Sequence, residues 1–212
     1  MSSSPNDAKP VICAFSGSSP GNNASHMAAA KALAHTLHAH GYNLVYGGGT
    51  VGLMGELART LVSLSGSESV HGIIPEALLK YEGKDIDKST YGKTTVVKDM
   101  HTRKKLMADA VVQGGKGSGF VALSGGYGTL EELMEITTWQ QLGIHQCPVV
   151  VLNIDGYWGP ILEWVRNAVK EGFVAAQFKD IMLEAASSDQ VVEDLKGYTY
   201  KGTGLALKWE DD

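Results

Sequence analysis

A guanidinium and a carboxylate, each set among apolar residues on its own stretch of helical pattern, are the pair in this chain best placed to do chemistry. Across residues 100–112 a turn of about 100° per residue brings Met100, Leu106, Met107, Ala110 and Val111 to one side, and Arg103 falls inside that stripe. Lys105 and Asp109 face away, and Lys104 lies at the stripe's edge. An arginine so placed either packs its stem and lifts its head to water or delivers its charge to an anion or carboxylate in a pocket. Across residues 129–142 the apolar side chains Leu130, Leu133, Met134, Ile136, Trp139 and Leu142 recur at helical spacing, and Glu132 falls between Ile136 and Trp139. Glu131 and Glu135 turn toward Thr138 and Leu142. An enclosed carboxylate can stabilise positive charge that develops during a reaction. The run Thr129-x-x-Glu132 also fits a capping box, in which the glutamate serves only the helix. Both readings stay open at this point.

The elements around the pair suggest what it would act on. Residues 119–123 are short, apolar and partly β-branched, as a strand buried on both faces should be, and they end in Ser124-Gly125-Gly126-Tyr127-Gly128-Thr129. Strand, glycine turn and helix form the geometry in which bare amides and the positive end of a helix dipole face a phosphate. The order recurs twice upstream. Val11 to Phe15 ends in Ser16-Gly17-Ser18-Ser19-Pro20-Gly21 before a helix over 25–40 closed by Gly41, and Asn43 to Tyr46 ends in Gly47-Gly48-Gly49-Thr50-Val51-Gly52 before a helix to about Leu64. Gly17, Ser18, Gly48, Gly49, Gly126, Gly128 and Thr129 are therefore the candidate phosphate contacts. The second turn satisfies G-x-G-x-x-G, a weak signal alone, whereas residues 113–118 lack Walker spacing and read as a flexible insertion.

Further strands are expected over 69–74, stopped by Pro75, and over 94–97 and 148–152. Residues 80–93 read as a surface loop, Asp99 as a helix N-cap, and 161–171 as an amphipathic helix closed by Gly172, after which the pattern fades. Alternation at this spacing predicts an α/β fold, a doubly wound parallel sheet with helices on both faces, whose ligands collect at the carboxyl ends of the strands. One domain over 11–198 is expected, with a disordered tail at 1–10 and a second tail at 199–212. A net charge of -5 with no basic run argues against a nucleic-acid or anionic-membrane surface. No stretch reaches the ~18 apolar residues of a membrane span, and two cysteines, Cys13 and Cys147, suit a reducing compartment, so the expected location is cytoplasmic. His26, His35, His38 and His40 lack a neighbouring carboxylate or cysteine, and no metal is proposed.

Three motifs in order, Tyr46-Gly47-Gly48-Gly49 through Gly55, Met100-His101 with Arg103-Lys104, and Gly125 through Glu132, make the sequence resemble the LONELY GUY family of cytokinin-activating phosphoribohydrolases, from about Val11 to Tyr198. The resemblance implies a Rossmann-like homodimer, without a cofactor, that hydrolyses the N-glycosidic bond of an N6-modified adenosine 5′-monophosphate to free base and ribose 5-phosphate. By this resemblance the catalytic residues are Arg103 and Glu132, and the small-molecule nucleotide is contacted by Glu82, Lys104, Gly125, Gly126, Tyr127, Gly128, Thr129, Leu130, Glu131 and Thr137. Ser124 departs from the family, which usually has proline there. An older family name, possible lysine decarboxylase, finds no pyridoxal-phosphate lysine site with its anchoring partners in these residues. Two alternatives are a nucleotide-binding protein that kept the fold and lost catalysis, and a nicotinamide-dependent oxidoreductase with Gly47 to Gly52 as fingerprint and Glu76 as ribose-binding acid.

Overall fold

Short strands without charged residues at their centres can be covered on both faces, and the five inner strands of the sheet are almost wholly buried. The computed structural model describes residues 8–82, 85–202, 204, 205 and 207, excluding the side chains of 81 and 82. Its strands are β1 (Val11–Phe15), β2 (Asn43–Tyr46), β3 (Val70–Pro75), β4 (Lys93–Val97), β5 (Gly119–Ala122), β6 (Val149–Leu152) and β7 (Met182–Ala185). They form one parallel 7-stranded sheet in the order β4-β3-β2-β1-β5-β6-β7. The helices are α1 (Ala24–Ala39), α2 (Gly52–Ser65), α3 (Glu76–Glu82), α4 (Lys88–Tyr91), α5 (Met100–Val112), α6 (Tyr127–Leu142), α7 (Gly159–Lys170) and α8 (Ser188–Gly197).

Alternation along each strand decides which layer a side chain joins. Ile12, Ala14, Leu44, Tyr46 and Val121 pack with Leu33 and Leu37 of α1, Leu57 and Leu61 of α2 and Val191 of α8. Cys13, Phe15, Val45, Phe120 and Ala122 pack on the opposite face with Met107 of α5, Leu133 and Ile136 of α6 and Val165 of α7. The arrangement is the doubly wound α/β fold expected from the sequence. β1 hands the chain toward β2 and β5 hands it toward β6, so the connections diverge between these two strands and open a crevice at their carboxyl ends.

Several local expectations give way. Residues 80–93 are not simply a loop, because α3 extends to Glu82 and Asp87 caps α4 by accepting from the amide of Ser89 at 2.9 Å. Pro75 ends β3 from within; pairing with β2 stops at Gly72, so Pro75 lies beyond the last β2 partner. Residues 113–118 are tied down rather than a flexible insertion: Val11 donates to Ser118 Oγ at 2.8 Å and Gly115 to the carbonyl of Lys9 at 3.1 Å. Pro10 likewise accepts from Asn43 at 2.9 Å, which anchors the end of the N-terminal tail. β7 and α8 lie where the sequence pattern fades. Among the described residues no helix is long and apolar enough to cross a membrane.

Candidate active site

The turns after β1 and β5 meet backbone to backbone. Gly17 donates to the carbonyl of Ser124 at 3.0 Å, and a Cβ on Gly17 would lie 3.2 Å from Cα of Gly125, so a larger residue would spread the two turns. Between them and the start of α1 lies a cavity of about 540 Å³ whose lining includes Gly17, Ser18, His26, Gly125, Gly126 and Tyr157.

Of the helices that begin at this edge after glycine-bearing turns, α2 and α6 differ at their ends. At α2 the carbonyl of Gly17 accepts from Leu53 at 3.0 Å and from Met54 at 3.3 Å, which uses two of the helix's first amides. Gly48, Gly49 and Gly47 are buried and stand outside the cavity lining. Gly48 has φ +77° and packs on Ile74, and a Cβ on Gly52 would overlap the backbone of Ser18. A Cβ on Gly47 would overlap the Nη2 of Arg103. These close approaches account for the G-x-G-x-x-G pattern within the protein itself, without a dinucleotide. Glu76, the acid of the oxidoreductase reading, forms an exposed 2.7 Å ion pair with Lys80.

At α6 the cap is Gly126, in extended conformation, with no side-chain cap. Its carbonyl accepts from Leu130 at 3.0 Å, while the amides of Tyr127, Gly128 and Thr129 meet no acceptor among the described residues. A Cβ on Gly126 or Gly128 would meet nothing within 4 Å among the described residues, and Tyr127 is 94% exposed. The helix starts at Tyr127, so Thr129 sits inside its first turn, buried beneath Gly125, and the Thr129–Glu132 capping box does not form. Glu132 therefore does not serve α6 as the partner of a capping threonine.

Arg103 and Glu132 are 8% and 7% exposed, and Arg103 Nη2 lies 3.0 Å from Glu132 Oε1. The two charges attract without aligning as a hydrogen bond, since Glu132 Oε1 and Arg103 Nε are buried without hydrogen-bond partners among the described residues. Ser16 Oγ, at the end of β1, is a third such atom. Trp158 Nε1, beyond β6, is a fourth. Buried polar atoms normally find partners, and those of Arg103 and Glu132, which face each other, are the ones a ligand at this pair would satisfy. Burial pushes the Glu132 carboxyl up to about 7; the Arg103 guanidinium opposes this, while Glu131 reinforces it. The inward spine of α5 is Arg103, Met107, Ala108 and Val111, whereas Met100 and Leu106, expected in the buried stripe, are 40% and 38% exposed.

Lys104 bridges Glu131 at 2.5 Å and Glu135 at 2.9 Å, fastening α5 to α6 beside the buried pair. Of the remaining expected residues, Leu130 is half-buried, Ser18 is exposed at the cavity, and Thr137 donates to the carbonyl of Leu133 at 2.7 Å within its own helix. The side chain of Glu82 lies outside the described residues. From the sequence alone His26, Tyr157 and Glu135 had no site role, and Gly47 stood only in the dinucleotide fingerprint and the family motif. The glycine run was the only signal for Gly47, and the i, i+4 spacing of Glu131 and Glu135 on one face was the only signal for Glu135.

Residues 54–195 match a family described as possible lysine decarboxylase. A cytokinin riboside 5′-monophosphate phosphoribohydrolase of Arabidopsis thaliana is 41% identical over 201 residues, covering 94% of this chain and 89% of its own. The chain belongs to the LONELY GUY family. A bifunctional cytokinin biosynthesis protein of Fusarium pseudograminearum is 53% identical over 215 residues; the match covers 96% of this chain and 44% of that protein, so the chain spans under half of that relative's length. Among solved structures, the molybdenum cofactor carrier protein of Chlamydomonas reinhardtii has a TM-score of 0.61 at 18% identity, covering 89% of this chain and 97% of its own, which shows a shared fold.

Proposed function

We propose that this chain is a phosphoribohydrolase that cleaves the N-glycosidic bond of N6-modified adenosine 5′-monophosphates to free base and ribose 5-phosphate. The observation that carries the reading is the buried Arg103–Glu132 pair, with unpartnered polar atoms, beside the uncapped start of α6. The names of the Arabidopsis and Fusarium relatives supply the substrate class.

In this reading the 5′-phosphate docks on the amides of the Gly126–Thr129 turn, where the helix dipole favours its charge. Docking brings C1′ toward Glu132. As the C1′–N9 bond breaks, its electron pair leaves with the base and positive charge spreads over C1′ and the ring oxygen. The Glu132 carboxylate stabilises that charge and takes a proton from the water that adds to C1′; the base anion takes up a proton from solvent and Glu132 releases its own to solvent, so the water is divided between the two products. A carboxyl with pKa about 7 suits a general base at neutral pH. Arg103 stays protonated and is no proton donor; it orients Glu132 and hydrogen-bonds the departing base or the phosphate. Lys104 and Glu131 contact the nucleotide at the rim of the same site.

Residues 11–198 act as one domain in this proposal, and two free cysteines suit a cytoplasmic setting. Exposed Met100 and Leu106 on α5 favour a homodimer, which light scattering at micromolar concentration tests; a 22.6 kDa species with full activity would remove the dimer from the proposal. The catalytic reading itself is tested by incubating the protein with N6-isopentenyladenosine 5′-monophosphate. Free base and ribose 5-phosphate in equal amounts are expected, and binding without release of base would replace the hydrolase by a nucleotide carrier.

A further inference from the structure

The cavity beside the α6 turn contains an imidazole held from several sides. Ser124 is 8% exposed and its Oγ lies 3.0 Å from Nδ1 of His26. No other partner for that hydroxyl exists among the described residues, so its proton has an acceptor only if Nδ1 accepts it. A neutral ring that accepts at Nδ1 carries its own proton at Nε2. His26 Nε2 has no partner among the described residues, and His26 lines the cavity together with Gly17, Ser18 and Gly125. The ring stands edge-on to Tyr157, with centroids 5.6 Å apart and planes at 75°, and the Tyr157 hydroxyl donates to the carbonyl of Gly125. Asn23 and Ser25, at the start of the same helix, donate to Asp155 at 2.8 and 2.5 Å, fixing α1 against the turn that carries Tyr157. The described lining contains no lysine, arginine, aspartate or glutamate, which leaves His26 as its one imidazole among neutral donors.

We propose that His26 is a phosphate-binding residue, with Ser124 setting its tautomer so that Nε2–H is presented to the 5′-phosphate docked at the Gly125–Gly126 turn. The proposal rests on the phosphoribohydrolase reading and extends it. A proline at position 124 has no hydroxyl and would leave the tautomer free, so the serine has a chemical consequence in this chain.

Two substitutions separate direct contact from support of the turn. His26→Gln places an amide NH₂ near the position of Nε2, whereas His26→Asn places its polar atoms near Nδ1 and keeps only the partner for Ser124. A hydrogen bond to a charged group implies that His26→Asn raises KM for the 5′-monophosphate by about ten- to a hundredfold. Its kcat/KM for the nucleoside should be unchanged, and His26→Gln should stay within about threefold of the parent in both. Melting curves establish that both variants fold. The inference is overturned if Asn restores binding and Gln does not, which would make His26 a support for Ser124. It is also overturned if both variants keep the parent KM, or if both lose nucleotide and nucleoside turnover equally. Ribose 5-phosphate titrated by calorimetry gives the same comparison without turnover. A parent protein that binds ribose 5-phosphate more tightly than His26→Asn yet releases no base would sink the hydrolase reading alone.

Discussion

The starts of α2 and α6 stand at the same sheet edge, each after a glycine-rich turn, and only one is open. At α2 the carbonyl of Gly17 occupies the amides of Leu53 and Met54, and the surrounding glycines admit Arg103, Ile74 and the Ser18 backbone. At α6 the amides of Tyr127, Gly128 and Thr129 lack acceptors among the described residues, and Gly126 and Gly128 have space beside them there. A glycine pattern therefore reports close approach, and the approaching group can be the protein itself. The closed turn still serves the site, because Gly47 is where the Arg103 guanidinium fits.

The comparison breaks most visibly at Glu132. Glu132→Gln removes the charge beside the open helix end, and kcat should fall by roughly a hundredfold or more, as for the loss of one preorganised electrostatic group. The variant's stability should change little, by about 1 kcal/mol or less, because burial already favours the uncharged form of Glu132, which an amide resembles. Full turnover per folded molecule would move the catalytic carboxylate to Glu131 or Glu135.

Three glycine substitutions sharpen the contrast between the two turns. Gly47→Ala should displace Arg103, lowering kcat about tenfold and stability by about 1–3 kcal/mol. Gly52→Ala, at φ +60° and against the Ser18 backbone, should cost about 1–3 kcal/mol in urea denaturation. Gly126→Ala should leave stability within about 0.5 kcal/mol, because its Cβ meets nothing, while KM for the nucleotide rises severalfold. Equal stability losses at Gly52 and Gly126 would contradict the assignment of closed and open turns.

The smallest expected effect is a pH dependence. The ionised form of Glu132 is the active one, so kcat/KM should rise with pH through about 7 and level off above it. Stability moves the other way. The folded chain retains a proton on Glu132 between its ordinary value of 4.5 and about 7 that the unfolded chain releases, so the contribution of Glu132 to stability declines as pH rises through that window. A profile flat from pH 6 to 8 would remove Glu132 as general base.

The sequence was legible where pattern and length agreed. β1, β2 and α5 begin and end where the apolar runs, the glycine turns and the cap placed them, with Asp99 accepting from the amide of Thr102 at 2.8 Å. Glu132 was correctly enclosed. The capping box failed because glycine at 126 let the helix start before Thr129, a boundary that residue types alone do not fix. β7 and α8 were missed because Met182–Ala185 is short and carries Glu184 at an edge strand, and α8 has only Val191, Val192 and Leu195 buried. The Gly17 carbonyl on α2, the Lys104 bridge and the His26–Ser124 contact join residues distant in sequence, which local periodicity does not reveal.

The central claim is that the open start of α6 holds a phosphate beside the Arg103–Glu132 pair. The most direct test is the ratio of kcat/KM for N6-isopentenyladenosine 5′-monophosphate to that for its nucleoside, measured on the unmodified protein. Charge-assisted hydrogen bonds to several amides predict a ratio of about a hundred or more. A ratio near one would contradict the phosphate site.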